Sequence, residues 1–370
     1  MDDDLILVVG GRRLSGWTQI RVTRGIERVP SDFDIEMTEN YPGELDVVTV
    51  QKGDPCEVRL DGDLVITGYV DRVIPTIDRG QHSIRVIGRS KCSDLVDCAA
   101  EWPGGQVNGT ALAIAQKLVE PYGNAGMEIT VRTDVDDLGP VIPQFNLILG
   151  ESPMEIIERT CRCAALLAYD EPDGNLLLTR VGTVQAASGF QLVRDGQGDT
   201  SANNIQSVSI INSMDQSYSE VLAYIQSLDT LEDVGTGGNL LATETDPNVT
   251  RHRRRIIVAE YGDSNFDVTK RRAKWEVARR FGRSCVVQLT TDSWRDSDTL
   301  LWTPNTLVQL RIPALKLLDD PIWLISEVSY KRDGSSGTTA DVTIMAPEAF
   351  IPQPVVLNPT FAEINQVPPQ

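Results

Sequence analysis

The sequence predicts an α+β chain, mainly β, with two small β-barrel-like domains on either side of an α+β region. Short alternating apolar runs, cut by glycine and proline, fill residues 1–90 and return after residue 200. Between them the apolar period lengthens toward that of a helix. At 370 residues, 41% apolar and 24% charged, the chain is long enough to bury two or three cores. The expected units are a β-barrel-like domain at 1–90, an α+β region at 91–200, a β-barrel-like domain with one helix at 201–346, and a proline-rich extended arm at 347–370.

In the first unit, Leu5 to Val9 is an apolar run that turns at Gly10-Gly11. Glu57 to Leu60 faces Leu64 to Thr67 across Asp61-Gly62, a dipeptide that suits a tight hairpin because both positions tolerate positive φ. Ser83 to Ile87 alternates and is expected to end at Gly88. In the second unit, Thr110 to Glu120 puts Leu112, Ala115, Leu118 and Val119 on one helical face and stops at Pro121. Ser152-Pro153-Met154-Glu155 combines an N-cap serine, a proline at the first helical position and a glutamate three residues after the cap. Ile157, Cys161 and Ala164 form the inner face of that helix, and a hairpin around Asp173-Gly174 follows.

In the third unit, Thr230 to Val249 is rich in Gly, Thr, Asn and Asp and reads as a long surface loop. Asp267 is expected to cap a helix through Phe281, with Val268, Trp275, Ala278 and Phe281 on one face and Gly282 at its end. Strands at Ile322 to Tyr330 and Thr338 to Met345 join around Asp333-Gly334. Prolines 352, 354, 359, 368 and 369 then mark the arm as extended and ordered only when docked. No internal sequence repeat links the two β regions.

Composition excludes several classes. A net charge of −19 argues against wrapping nucleic acid, which calls for a basic footprint. The acidic start Met1-Asp2-Asp3-Asp4 is unlike a secretory signal, and no apolar run reaches the roughly 18 residues of a membrane span, so folding in a cytoplasm without membrane insertion is expected. Cys56, Cys92, Cys98, Cys161, Cys163 and Cys285 are scattered and are expected to be reduced.

The residue types form no recognisable catalytic constellation in sequence. His82 and His252 stand apart from any nucleophile or ligand set, and no G-x-S-x-G, phosphate-binding loop or H-E-x-x-H motif occurs. Cys161 and Cys163, two apart on a helix, point to different sides and lack a second ligand pair. No catalytic residue, metal or cofactor is expected. The one dense basic cluster is Arg251, Arg253, Arg254 and Arg255 around His252. It is either a solvated segment offsetting nearby acid or a contact with an acidic neighbouring subunit. The six tryptophans, Trp17, Trp102, Trp275, Trp294, Trp302 and Trp323, read as core anchors, with interface roles for a minority.

A series of stretches runs through nearly the whole chain in order: Gly16-Trp17-Thr18, Val22-Thr23-Arg24 with Ile26-Glu27, Thr67-Gly68-Tyr69-Val70-Asp71, Gly88-Arg89, Asp94 to Ala100, Gly104-Gly105, Pro121-Tyr122-Gly123, Asp246 to Arg251, Leu301 to Asn305 and Ala346 to Phe350. Together they resemble the baseplate hub family of Mu-like contractile-tailed phages, which is similar to the T-even phage hub. The resemblance implies a non-enzymatic homotrimeric ring in the virion tail, assembled in the host cytoplasm. Its implied partners are the tail tube or tube-adjacent baseplate proteins, the central spike and the tape-measure protein, with DNA passing through unbound. Two barrels in three copies would offer six similar surfaces, suited to joining a six-fold tube to a three-fold spike. Acidic groups are expected to outnumber basic ones on the channel wall, with Arg251 to Arg255 elsewhere. The alternatives are a hub component of a related secretion-type machine or late-control tail protein, and a tail-associated cell-wall hydrolase.

Overall fold

The computed structural model describes residues 4–38, 50–79, 82–102, 104–123, 126–194, 196, 198–226, 239–259, 266–315 and 322–352. The first β region holds β1 (Leu5–Val9), β2 (Arg12–Leu14), β3 (Gln19–Gly25), β4 (Asp32–Thr38), β5 (Pro55–Leu60), β6 (Asp63–Ile77) and β7 (His82–Ser90). Leu5, Leu7 and Val9 alternate into the core, and the β1–β2 turn uses Gly10 and Gly11 at φ 56° and 76°. Asp61 and Gly62, at φ 49° and 92°, close β5 onto β6 as the sequence predicts.

The middle region holds α1 (Ser93–Asp97), β8 (Gln106–Gly109), α2 (Ala111–Val119), β9 (Val131–Thr133), β10 (Ile142–Asn146), α3 (Pro153–Cys163), β11 (Leu167–Asp170) and β12 (Leu176–Thr179). The Thr110 hydroxyl caps α2 by accepting from Ala113 N–H, and Ser152 and Glu155 form the full capping box of α3. Ile114, Ala115 and Leu118 share a core with Ile156, Ile157 and Cys161. This unit is tied to the first β region by the buried Asp170, whose carboxylate accepts from the Ser31 N–H (3.1 Å) and hydroxyl (3.1 Å). Burial raises the Asp170 pKa, against the charge of Arg24 and the opposing hydrogen bonds from Ser31.

The last region holds β13 (Phe190–Gln191), β14 (Ile205–Asn212), β15 (Glu220–Gln226), β16 (Asn239–Thr245), β17 (Arg254–Ala259), α4 (Phe266–Ser284), β18 (Cys285–Thr291), β19 (Leu307–Arg311), β20 (Ile322–Asp333) and β21 (Gly337–Met345). β15 to β17 form a small separate sheet. The other strands of this region join those of the first in one 13-stranded sheet, because β20 pairs antiparallel with β3. The two β regions expected as separate barrel-like units therefore share one continuous, curled sheet and one apolar core.

Within that sheet a five-strand motif occurs twice: β3-β4-β7-β6-β5 in the first half matches β14-β18-β21-β20-β19 in the second. Both long hairpins bulge at the same place, between Val70 and Arg72 and between Ile325 and Glu327. Beside each bulge the same backbone bonds recur. Val70 donates to Asp54 and accepts from Gly53, as Ile325 donates to Thr306 and accepts from Asn305.

Several expectations fall to tertiary contacts. Asn239–Thr245, read as loop, is the strand β16, held by β15 on one side and packed under α4 through Ala242; residues 230–238 lie outside the described residues. Strand β7 runs past Gly88 to Ser90, and Gly88 is there because a Cβ would meet Tyr69 O at 2.3 Å and the Phe33 ring at 2.5 Å. Helix α4 begins at Phe266, so Asp267 is not its cap, and it continues through Gly282 to Ser284. Gly282 serves close approach instead, since its Cβ would lie 2.5 Å from Ala349 N. Phe281 is exposed, and among the described residues of α4 the buried positions are Ala273, Glu276 and Gly282. The arm begins docked: Pro347–Phe350 is a short 3-10 turn with Ala349 and Phe350 fully buried, while residues past 352 lie outside the described residues.

Candidate interaction sites

A strand separates its side chains by period two, and the basic cluster shows what that does. Arg254 opens β17 on the face away from α4 and pairs with Glu220 at 2.6 Å. Arg255 points the other way, under α4, where its Nε lies 2.9 Å from Glu276. Arg253 donates to Asp215 O at 2.7 Å, and its backbone N–H donates to the Ser219 hydroxyl. Arg251 and His252 are exposed just before the strand. Five residues adjacent in sequence, 251 to 255, thus divide between the interior and the surface.

The interior half of this set is larger than the sequence suggested. Arg280, one turn after Glu276 on α4, donates to the same buried carboxylate at 2.6 Å. Arg253, Arg255 and Arg280 all lie over the ring of Tyr218, at 5.4, 5.4 and 5.2 Å from its centroid. Farther round α4, Arg279 and Arg283 both bind Glu27, in the turn between β3 and β4, the former at 3.1 Å. Trp275 Nε1 donates to Ile351 O at 2.7 Å, with Arg279 over its ring. A cleft of about 400 Å³ opens here, lined by Ile26, Glu27, Leu167, Trp275, Arg279 and Phe350. The available signal was the spacing of Trp275, Arg279 and Arg283, one turn apart along a helix face.

The face of the long sheet turned away from the core is charged and paired strand to strand. Lys331 binds Asp341, Arg21 lies 2.7 Å from Asp32, and Arg85 lies 2.5 Å from Asp34. Hydrogen bonding from Arg85 holds the Asp34 carboxyl below its usual range. Such exposed pairs contribute little stability.

Little here supports covalent chemistry. Burial pushes the Cys56 thiol up to about 12 and raises Cys92 and Cys161 as well, which keeps them protonated and unreactive. No disulfide joins the described cysteines, and among the described residues no three His, Cys, Asp or Glu side chains group as metal ligands. His82 opens β7. Trp17, Trp294, Trp302 and Trp323 are buried core residues, whereas Trp102 and Trp275 are half-buried under Lys117 and Arg279.

Three family models match in succession. Residues 4–90 match the N-terminal domain of the Mu phage baseplate assembly protein GpP-like family, 92–180 the second domain of the baseplate hub protein gp44-like family, and 266–353 the fourth domain of the Mu GpP family. The baseplate hub protein gp44 of Escherichia phage Mu is 28% identical over 359 residues, covering 95% of this chain and 90% of that protein. The 43 kDa tail protein of prophage MuSo2 from Shewanella oneidensis has a TM-score of 0.81 at 29% identity, over 94% of this chain and 99% of that one. A tail protein from Neisseria meningitidis shares the fold, with a TM-score of 0.77 at 22% identity over 95% and 99% of the two chains.

Proposed function

The chain belongs to the Mu-type phage baseplate hub family, and from that membership we propose that three copies close into a ring joining the tail tube to the central spike. The ring surrounds the path of the tape-measure protein and DNA, and it assembles in the host cytoplasm before becoming part of the virion tail. One observation carries this reading: a five-strand motif stands twice in one open sheet, in a chain that matches a baseplate hub over 95% of its length. Two like motifs in each of three copies give six, so one ring can meet a six-fold tube and a three-fold spike.

The role is structural. The inert thiols, and a sheet face whose cations are paired with carboxylates, support a scaffold that neither reacts with nor grips what passes it, with acidic groups outnumbering basic ones on the channel wall. Arg253 and Arg255 are engaged within the chain, which supports a place for the basic cluster away from a channel. Arg251 and Arg254 remain at the surface and serve as the contact to an acidic neighbouring subunit.

Light scattering with electron microscopy of the purified chain tests the ring. A trimer mass and a ring-shaped image are expected, and a monomer at micromolar concentration would sink the reading. A peptidoglycan clearing assay is expected to show no activity; clearing would favour a hydrolase. Arg251→Glu with Arg254→Gln should weaken assembly while keeping the circular dichroism spectrum of the folded chain, and unchanged assembly would remove the proposed contact.

A further inference from the structure

The joint inside the chain shows how the repeated motif ends. The first half of β20 is paired by β19, through Leu307 to Gln309, and its second half, Glu327 to Arg332, takes β3 of the other motif. Strand β6 is built alike. Its first half is taken by β5 as far as Tyr69, but along Arg72 to Ile77 it is paired on the β7 side alone among the described residues. At the far end of the sheet β14, the counterpart of β3, is paired on the β18 side alone among the described residues.

We propose that β6 of one copy takes β14 of the next copy in antiparallel pairing, repeating between chains the β20–β3 joint found within the chain. The proposal rests on the ring reading and assigns its subunit interface.

The two bulges and the ladders beside them fix the correspondence residue by residue. Arg72, Ile74 and Ile77 stand where Glu327, Ser329 and Arg332 stand. Val208, Ile211 and Met214 stand where Ile20, Thr23 and Ile26 stand, because β14 runs along β18 as β3 runs along β4. The internal pairs Ser329–Thr23 and Arg332–Ile20 therefore become Ile74–Ile211 and Ile77–Val208 between copies. The chain leaves these apolar residues at the surface: Ile74 is 40%, Ile211 48% and Met214 46% exposed. Ile26, which corresponds to Met214, is 2% exposed, and its N–H donates to Ser326 O at 2.9 Å within the internal joint.

The edge itself invites pairing. From Ile205 to Asn212, β14 carries no charged residue and no proline, so it lacks the devices by which an exposed edge resists a second strand. Pro75 stands in the place of Tyr330 and has no N–H, so the ladder between copies is one donor short of the internal one. Because β6 and β14 are different surfaces, the contact is head-to-tail, the kind that makes a closed ring when its rotation closes.

The test uses the full chain with Ile74→Cys and Ile211→Cys, alone and together, and the wild type as control for native thiols such as the exposed Cys98. Mild oxidation of mixed single variants should give a covalent dimer whose linked peptide joins positions 74 and 211. The double variant should close into a covalent trimer. A trimer mass by light scattering without that linkage would overturn the joint and leave the ring standing, whereas a monomeric wild type would remove the ring reading itself. Ile211→Lys, at a position exposed in the single chain, should keep the circular dichroism spectrum and shift the mass from trimer to monomer. An Ile211→Lys trimer with unchanged dissociation would also overturn the joint.

Discussion

In the first motif Phe33 stands opposite Gly88; at the corresponding place in the second, Val287 stands opposite Ile344. A large ring beside no side chain is exchanged for two branched chains of middle size, and all three side chains are fully buried. What the two motifs share across this pair is complete burial, not residue identity, as expected of a close-packed interior. Their edges differ more deeply. The second half of β20 is covered by the chain itself, and the matching half of β6 is paired on the β7 side alone among the described residues. A repeat can thus keep its hydrogen-bond pattern while its sequence drifts to suit different neighbours.

The sharpest way to probe this comparison is to empty one pair and overfill the other. Ile344→Ala leaves a cavity in the second motif and should cost about 4 kcal/mol in urea unfolding. Gly88→Ala forces a Cβ against Tyr69 O and Phe33 and should cost about 2–3 kcal/mol. Adding Phe33→Val to Gly88→Ala moves the first motif toward the second, so the double variant should lose about 1 kcal/mol less than the two single losses combined. Strictly additive costs would mean that Phe33 and Gly88 are not fitted to each other.

A smaller effect is expected where the motifs diverge at Tyr330 and Pro75. The Tyr330 hydroxyl donates to the buried carbonyl of Trp302, so Tyr330→Phe leaves that carbonyl unpaired and should cost about 1–2 kcal/mol. Pro75→Ala, on the exposed half of β6, should stay within about 0.5 kcal/mol of wild type by the same measurement. Measured on the monomer, a large loss there would mean that this half of β6 is already held within the single chain.

The smallest effect belongs to the turn after β20. Asp333 accepts from the N–H groups of Ser335 and Ser336 and from the Ser335 hydroxyl, which lowers its carboxyl to about 2. A depressed folded value stabilises above the unfolded value and loses that stability as pH falls through the folded one. The small advantage of wild type over Asp333→Asn should therefore be constant near neutral pH and vanish between about pH 4 and pH 2. An advantage that persists at pH 2 would assign the turn's stability to something other than this charge.

Much of the local structure was legible because it depends on residues close in sequence. Asp61-Gly62 specified a hairpin through the positive φ those two residues tolerate, and Ser152 with Glu155 specified the start of α3 through bonds spanning three residues. The acidic composition was likewise plain from residue types alone. The arginine sites were legible only in part. The run from Arg251 to Arg255 announced a basic segment, but its division into Arg254 outside and Arg255 beneath α4 follows from which face of β17 the helix covers. Glu276 could become the shared partner of Arg255 and Arg280 only once α4 lay on that sheet.

The same reason explains why the repeat escaped the sequence. Its signature is a set of backbone bonds, and almost any residue can make those. Thr23 and Ser329 are separated by 306 positions, yet their hydroxyls lie 2.8 Å apart across the β20–β3 joint. The sequence by itself determined which short segments turn, cap and alternate, because those choices are made among neighbours. Which strands lie side by side, which glycines make room for a ring and which isoleucines stay at an open edge were decided by tertiary structure, since each depends on a partner far along the chain.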